Sequence, residues 1–160
     1  MFDIKPIPLL KGSHGDTNTT GQGCFMNVIA YLNGEPQITD QSPCVCVTIR
    51  PIAIFLNDFA NDEQRQRLLP FVLRAMGTTT EDRAVMNLRI AAVVKYAEFN
   101  ARLAASYAAS ASSSAAASRR EAIFQAGLDY LESVCPPAPE VNQTIINRAN
   151  KLFEMAGAAA

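Results

Sequence analysis

Apolar side chains recur with the period of an α-helix along much of the chain, and this repetition limits the fold more than any other feature. The longest periodic stretch runs from 84 to about 103, and charged side chains fall largely outside its apolar face. The inward positions predicted there are Met86, Ile90, Val93, Val94 and Ala97. Few runs alternate with a period of two between turns, so a sheet would lack partner strands. The pattern predicts an all-α fold.

The first half of the chain contains start and stop signals for three helices. One is predicted over 25–32, with Asn33-Gly34 as a left-handed stop. A second begins at Pro51, which suits the first position of a helix. A third follows Asp62 as its cap. Because Pro70 removes a backbone donor inside it, we expect a kinked helix or two short ones.

The second half contains signals for further helices. Thr78 with Glu81, and Ser118 with Glu121, have the form of capping boxes before two long helices. Pro139 can begin the last helix. Together these signals predict an irregular helical bundle of five or six helices.

Composition changes at two places along the chain. Residues 1–22 contain prolines, glycines and a Thr-rich run, so we expect an extended N-terminal arm or loop there. Residues 23–160 are predicted to form a single helical domain, which includes an Ala/Ser-rich connector at about 105–118.

The charge balance argues against several classes of protein. With 14 Lys and Arg against 15 Asp and Glu, the net charge is −1, so no nucleic-acid partner is expected. No stretch approaches the ~18 apolar residues of a membrane span, and the N-terminus lacks the basic and apolar regions of a signal peptide. We therefore expect no membrane partner and a cytoplasmic location, in which the 4 cysteines are thiols or ligands rather than disulfides.

The segment PCVCVTIRP, residues 43–51, holds two cysteines one residue apart. Its alternation suits a short strand, but Pro51 favours an extended entry into a helix. Zinc would need His14, Cys24, Cys44 and Cys46 as a three-Cys, one-His set. A C-x-C pair in an extended segment points its side chains to opposite faces, so a shared ion requires a turn. We therefore expect that the cysteines pack as small apolar residues and that no cofactor is bound, with zinc as the alternative.

A thiol enzyme would use the same region of the sequence. Cys24 or Cys44 would be the nucleophile, His14 the base, and Asp40 or Asp58 the group that orients the base. His14 lies in a Gly-rich stretch, where a surface loop is the alternative explanation. The binding candidates are Cys24, Glu35, Asp40, Cys44, Asn57 and Asp58.

A series of short motifs lies between Gly23 and Thr78. They are Cys24 at a helix start, Gly34-Glu35-Pro36, Thr39-Asp40, PCVC, Asn57-Asp58 and RQRLLPFVLRAMGT. In this order they resemble an uncharacterised family of small proteins encoded by tailed bacteriophages and by actinobacteria. The resemblance implies a phage or mobile-element accessory protein and implies no activity. Relatives often carry a histidine or arginine after the aspartate, whereas this chain has Gln41-Ser42.

The sequence therefore favours a non-enzymatic accessory protein that binds another protein, either a host factor or a second copy of itself. Neither a complete catalytic set nor a basic face is evident, and the helical stripes can extend a core across an interface. One alternative is a small metal- or thiol-dependent enzyme centred on Cys24, Asp40, Cys44 and Asp58. Another is a structural component of a virion.

Overall fold

The computed structural model describes residues 7–107, 113–137 and 139–158, and the regular elements in these ranges are all helices. The helices are α1 (Thr17–Thr20), α2 (Phe25–Asn33), α3 (Arg50–Phe59), α4 (Asp62–Gln66), α5 (Leu69–Ala75), α6 (Arg83–Tyr107), α7 (Ser113–Val134) and α8 (Gln143–Ala158). The all-α prediction is confirmed. The described ranges hold eight helices, more than the five or six predicted, because α1 is too short to show an apolar period and the helix predicted after Asp62 is divided into α4 and α5.

The chain packs as two compact units. Unit 1 comprises Met1–Thr79 and Cys135–Ala160 and holds α1 to α5 and α8. Unit 2 comprises Thr80–Val134 and holds α6 and α7. The single domain over 23–160 stays a prediction. None of the described helices combines the length and apolar character that a bilayer span requires.

Helix α2 lies at the centre of unit 1. Nearly all its side chains are buried, and it packs against α1, α3, α5 and α8. As predicted, the helix ends at Gly34, whose φ of 75° places it in the left-handed region that favours glycine. Other fully buried side chains of unit 1 are Ile49, Leu56, Leu68 and Leu152. The core of this unit is therefore built around one helix.

Residues 7–24, which precede α2, lie on unit 1 and do not extend from it. Ile7 and Leu9 are buried. The side-chain amide of Gln66 accepts from the Leu9 N–H at 3.1 Å and donates to the Leu9 carbonyl at 3.2 Å. The Leu10 N–H donates to the Gly23 carbonyl at 2.9 Å. The extended arm is therefore not confirmed for residues 7–22, because these backbone groups are paired with the rest of the unit.

Two arginines close the C-terminal ends of α2 and α3. Arg148 of α8 donates to the Leu32 carbonyl at 2.9 Å. Arg65 of α4 is buried and donates to the carbonyl oxygens of Asn57 and Ala60, each at 2.8 Å. Carbonyls in the last turn of a helix lack an intrahelical partner, and a cation there is favoured by the helix dipole. The two arginines therefore connect α8 to α2 and α4 to α3.

Residues 43–49 form consecutive turns, so the predicted extended entry into α3 is wrong. The N–H groups of Ile49 and Arg50 both donate to the Cys46 carbonyl, at 2.9 and 3.0 Å. The hydroxyl of Thr78 accepts from the Cys46 N–H at 3.0 Å and donates to the Ala75 carbonyl at 2.7 Å. Thr78 therefore ties this segment to the end of α5 and does not start a helix.

Other helices also begin at caps that the sequence did not single out. The side chain of Asn61, rather than that of Asp62, accepts a backbone N–H in the first turn of α4 at 2.8 Å. Asp82 accepts an N–H at the start of α6 at 2.8 Å. Asn142 accepts an N–H in α8 at 3.0 Å, so the predicted start of the last helix at Pro139 is wrong.

Unit 2 is a hairpin of α6 and α7. The rings of Tyr96 and Tyr130 meet between the helices, with centroids 5.9 Å apart. The ends of the predicted connector, 105–107 and 113–118, belong to these helices, and residues 108–112 lie outside the described ranges. Ser118 therefore lies within α7, and the capping box predicted there is wrong.

The buried face of α6 differs from the predicted one. Arg89 and Tyr96 are buried, whereas Ile90 and Val94, predicted to face inward, are 48% and 50% exposed. Apolar side chains occupy most of the circumference of α6, so the helical period alone does not single out its core face.

Candidate functional site

Asn57, one of the predicted binding residues, joins α3 to the segment before α2. Its side-chain oxygen accepts from the Phe25 N–H at 3.1 Å. Its side-chain nitrogen donates to the Leu10 carbonyl at 2.9 Å and to Asp58 Oδ1 at 3.2 Å. The side chain is buried. Both ends of the amide are thus bound to protein groups, and the contacts of Asn57 are structural.

Asp58 and Asn27 hold the loop that contains His14. Asp58 Oδ1 accepts from the Gly12 N–H at 2.9 Å. Asn27 Oδ1 accepts from the N–H groups of His14 at 2.7 Å and Cys24 at 3.3 Å. His14 Nε2 lies 2.9 Å from the Lys11 carbonyl oxygen, so this nitrogen carries the hydrogen and donates it. His14 therefore forms part of an internally bonded loop.

Cys24 is buried at the N-terminus of α2. Burial raises the pKa of its thiol, and the nearby charges of Asp40 and Asp58 raise it further. The backbone N–H groups of Asn27 and Met26 act in the opposite direction. A thiol with a raised pKa is protonated at neutral pH, so Cys24 is a poor nucleophile there.

Glu35 and Cys44 lie close together on opposite sides of Ser42. The buried Ser42 hydroxyl donates to Glu35 Oε1 and lies 3.2 Å from Cys44 Sγ. Burial raises the pKa of the Cys44 thiol, and the Glu35 carboxylate raises it further, while hydrogen bonds with Ser42 and with the Gly77 backbone offset part of the change. The cluster of Glu35, Ser42 and Cys44 therefore keeps the thiol protonated at neutral pH.

Asp40 and Cys46 make separate local contacts. Asp40 Oδ1 accepts from the Gln41 side chain at 3.4 Å. Cys46 is buried, and its sulfur lies 3.3 Å from the Thr48 hydroxyl. All four cysteines lie within the described ranges, and none of them forms a disulfide. These two residues therefore lie in different local environments.

The charges of Asp40 and Asp58 lie near Cys24, but the predicted ligands do not assemble into a metal-binding group among the described residues. Within residues 7–107, 113–137 and 139–158, no three His, Cys, Asp or Glu side chains form a group that could hold a metal ion. The zinc set of His14, Cys24, Cys44 and Cys46 lies wholly inside those ranges and forms no such group. In the same ranges, no hydrogen bond joins His14 to Cys24 or Cys44.

Unit 2 contains a different candidate, a groove of about 740 Å³ between α6 and α7. The α6–α7 groove is lined on the α6 side by Leu88, Ala91, Ala92, Lys95, Tyr96 and Phe99, and on the α7 side by Ala122, Gln125, Ala126, Asp129, Tyr130 and Ser133. Alanines and aromatic rings make up most of this lining. Because alanine side chains are small, they leave a concave and mainly apolar surface.

Large apolar side chains of the groove are open to solvent. Leu88 is 73% exposed and Phe99 is 41% exposed. They lie towards different ends of the groove, with the alanines between them along α6. Contiguous exposed apolar surface is characteristic of interaction sites, whereas single exposed apolar residues are common. The groove therefore exposes apolar surface of the kind found at interaction sites.

The groove has one charged residue on each wall. Lys95 is exposed on α6 and Asp129 is exposed on α7. Asp129 also accepts from the Gln125 side chain at 2.9 Å. Each charged residue is next in sequence to one of the paired tyrosines, Tyr96 and Tyr130, so the two charges lie at nearly the same level of the hairpin. The lining thus combines an apolar surface with one positive and one negative group.

Fold and groove together define a class of molecule, an all-α protein with an open apolar groove on a helical hairpin. Comparison of the chain with protein families, with curated proteins and with solved structures found no match. The function is therefore argued from the geometry of the chain.

The sequence did contain a signal for this groove. Leu88, Ala92, Lys95 and Phe99 are spaced by four, three and four residues, which places them on one side of a helix. Lys95 interrupts the apolar stripe, so Leu88 and Phe99 were not recognised as parts of one surface.

Proposed function

We propose that this chain acts by binding another protein, and that the α6–α7 groove is the binding surface. The observation that supports this proposal is the exposure of Leu88 and Phe99 along an open groove of about 740 Å³. A partner that filled the groove would remove this apolar surface from water, which is the main favourable term in most protein association.

The shape of the groove suits a helix as its occupant. Ala91 and Ala92 on one wall, with Ala122 and Ala126 on the other, let a third backbone approach closely. An amphipathic helix presents apolar side chains at intervals of three and four residues and can lie along such a groove. The groove offers Lys95 and Asp129 as charged partners at its edges.

The proposal assigns no reaction to the chain. The thiols of Cys24 and Cys44 have raised pKa values because they are buried, and His14 donates to a backbone carbonyl. Asn57 and Asp58 contact backbone groups of the same unit. These contacts favour a structural role for the region from 24 to 58. The phage origin and the cytoplasmic location remain predictions from the sequence.

Site-specific photo-cross-linking tests the proposal. Benzoylphenylalanine in place of Gln125 sets a photoreactive ketone in the groove, and the matched control carries it in place of Glu154, which is exposed on α8. We expect irradiated cells to yield protein adducts at position 125, and we expect Phe99→Glu to abolish them. Mass spectrometry of the adducts identifies the partner peptide. Absence of adducts at position 125, or equal yields at both positions, would overturn the proposal.

A further inference from the structure

The charges of the α6–α7 groove match a second copy of the same groove. Lys95 lies on the α6 wall and Asp129 on the α7 wall, at nearly the same level. Consider a two-fold axis that runs parallel to the helices and lies between the two copies. It would place α7 of the second copy over α6 of the first. Lys95 of each copy would then face Asp129 of the other, and both charged pairs would form together.

The alternative two-fold axis is disfavoured by the same charges. An axis perpendicular to the helices, in the plane of the interface, would place α6 over α6 and α7 over α7. Lys95 would then approach Lys95 of the second copy, and Asp129 would approach Asp129. Like charges across an interface oppose association. The charge pattern therefore selects the axis that runs along the hairpin.

We infer that the partner of the α6–α7 groove is a second copy of this chain, and that two hairpins close into an antiparallel four-helix bundle. The inference rests on the proposed function, since it names the partner for that binding surface. It commits to one occupant and to one symmetry axis.

The directions of the helices support this bundle. Within one hairpin, α6 and α7 run in opposite directions. With the axis along the hairpin, α6 of one copy also faces α7 of the other, so each helix has two antiparallel neighbours. This is the arrangement of up-down-up-down four-helix bundles. It also places the positive end of each helix dipole beside negative ends of its neighbours.

The sizes of facing side chains are complementary about the same axis. Phe99 lies three residues after Tyr96, and Ala126 lies four residues before Tyr130. Because the two tyrosines set the register of the hairpin, Phe99 and Ala126 lie at similar levels on opposite walls. The two-fold axis would therefore place the Phe99 ring of one copy against the small side chain of Ala126 in the other.

The area of the hairpin face is sufficient for a stable dimer. A helix of 22 residues, the length of α7, is roughly 33 Å long. Two such helices about 10 Å apart present a face of roughly 650 Å². Covering this face in both copies would bury roughly 1,300 Å², which lies within the range of about 1,200–2,000 Å² for specific protein interfaces.

Charge reversal tests both the partner and the axis. Sedimentation equilibrium on the purified full chain is expected to give a dimer of the 17.3 kDa polypeptide. In each charged pair, residue 95 of one copy faces residue 129 of the other. Lys95→Asp makes both members of the pair aspartates, and Asp129→Lys makes both of them lysines. Each single variant should raise the dimer dissociation constant at least about tenfold. Arg83→Asp is the matched control, since Arg83 is exposed on α6, lies on the side of the helix away from Lys95 and is not part of the groove lining.

Complementation distinguishes this interface from other modes of association. An equimolar mixture of Lys95→Asp and Asp129→Lys should form heterodimers, because each pair then joins an aspartate to a lysine. The double variant Lys95→Asp/Asp129→Lys should also regain self-association. Recovery in both cases supports the inference. Weakened single variants without recovery in the mixture or the double variant would overturn it.

The outcome for the partner can be separated from the outcome for the proposed function. A wild-type chain that stays monomeric, while the photoreactive residue at position 125 still forms adducts with a different protein, would overturn self-association and support the groove as a binding surface. A monomeric chain without adducts at that position would overturn both.

Discussion

Single polar side chains hold the irregular parts of unit 1 together. Gln66 bonds both backbone groups of Leu9, as a neighbouring strand would, and Arg65 satisfies carbonyls at the end of α3. Asn57 links α3, the start of α2 and the loop before it. Because these side chains bond backbone groups in regions without regular pairing, removing one leaves buried polar groups unsatisfied.

Asn57→Leu should destabilise the protein by about 2–4 kcal/mol. The change leaves the Phe25 N–H and the Leu10 carbonyl without the amide that now bonds them. The free energy of unfolding in urea, followed by circular dichroism, measures the effect. Asn87→Ala, at an exposed position of α6, should change it by less than about 0.5 kcal/mol. A loss below about 1 kcal/mol for Asn57→Leu would contradict the structural role of this residue.

Glu35→Gln should make Cys44 more reactive. Burial raises the pKa of the Cys44 thiol, and the charge of Glu35 raises it further. Removing that charge lowers the pKa and increases the thiolate fraction at a fixed pH, so alkylation by iodoacetamide at pH 7.5 should speed up at least about twofold. Peptide mass spectrometry gives the rate for Cys44. Glu63→Gln, at an exposed position of α4, should leave the alkylation rate of Cys44 unchanged. Equal rates in the wild type, Glu35→Gln and Glu63→Gln would contradict the role of Glu35.

Whole helices could be predicted wherever an apolar stripe met a proline or a glycine. The sequence predicted α2 with its stop at Gly34, and α3 with Pro51 in its first turn, and both are confirmed. Caps were harder to predict because several short polar residues stand side by side before each helix. The residue that bonds the first turn depends on how the preceding segment packs. Thr78, for example, was predicted as a cap, but its hydroxyl accepts from the Cys46 N–H instead.

The start of α6 offers a direct comparison between the predicted cap and the observed one. Asp82 accepts from the N–H groups of Ala84 and Val85, whereas the predicted capping box used Glu81. Asp82→Ala should therefore reduce the free energy of unfolding by about 1 kcal/mol, the usual value of a cap. Glu81→Ala should change it by less than about 0.3 kcal/mol. Equal losses in urea unfolding would contradict the observed cap.

At the scale of the whole molecule, the sequence placed the candidate binding residues between 24 and 58, whereas the structure directs attention to the α6–α7 groove. Cys24, Asp40, Cys44 and Asp58 attracted notice because their side chains can carry chemistry, but chemical type does not reveal which groups are already bonded. Leu88 and Phe99 look like core residues in a sequence. In the described part of unit 2, no third helix lies over the hairpin, so these two side chains are exposed, and no local sequence pattern reports that.

The sedimented mass of groove variants tests the central claim most directly. The claim is that two copies of the chain associate through the α6–α7 groove. Phe99→Glu puts a charge into the groove, and Ile90→Glu puts the same charge at a similarly exposed apolar position of α6 outside it. The account predicts a mass near twice 17.3 kDa for the wild type and for Ile90→Glu, and a mass near 17.3 kDa for Phe99→Glu. A wild-type mass of 17.3 kDa at all concentrations, or equal loss of association in both variants, would contradict it.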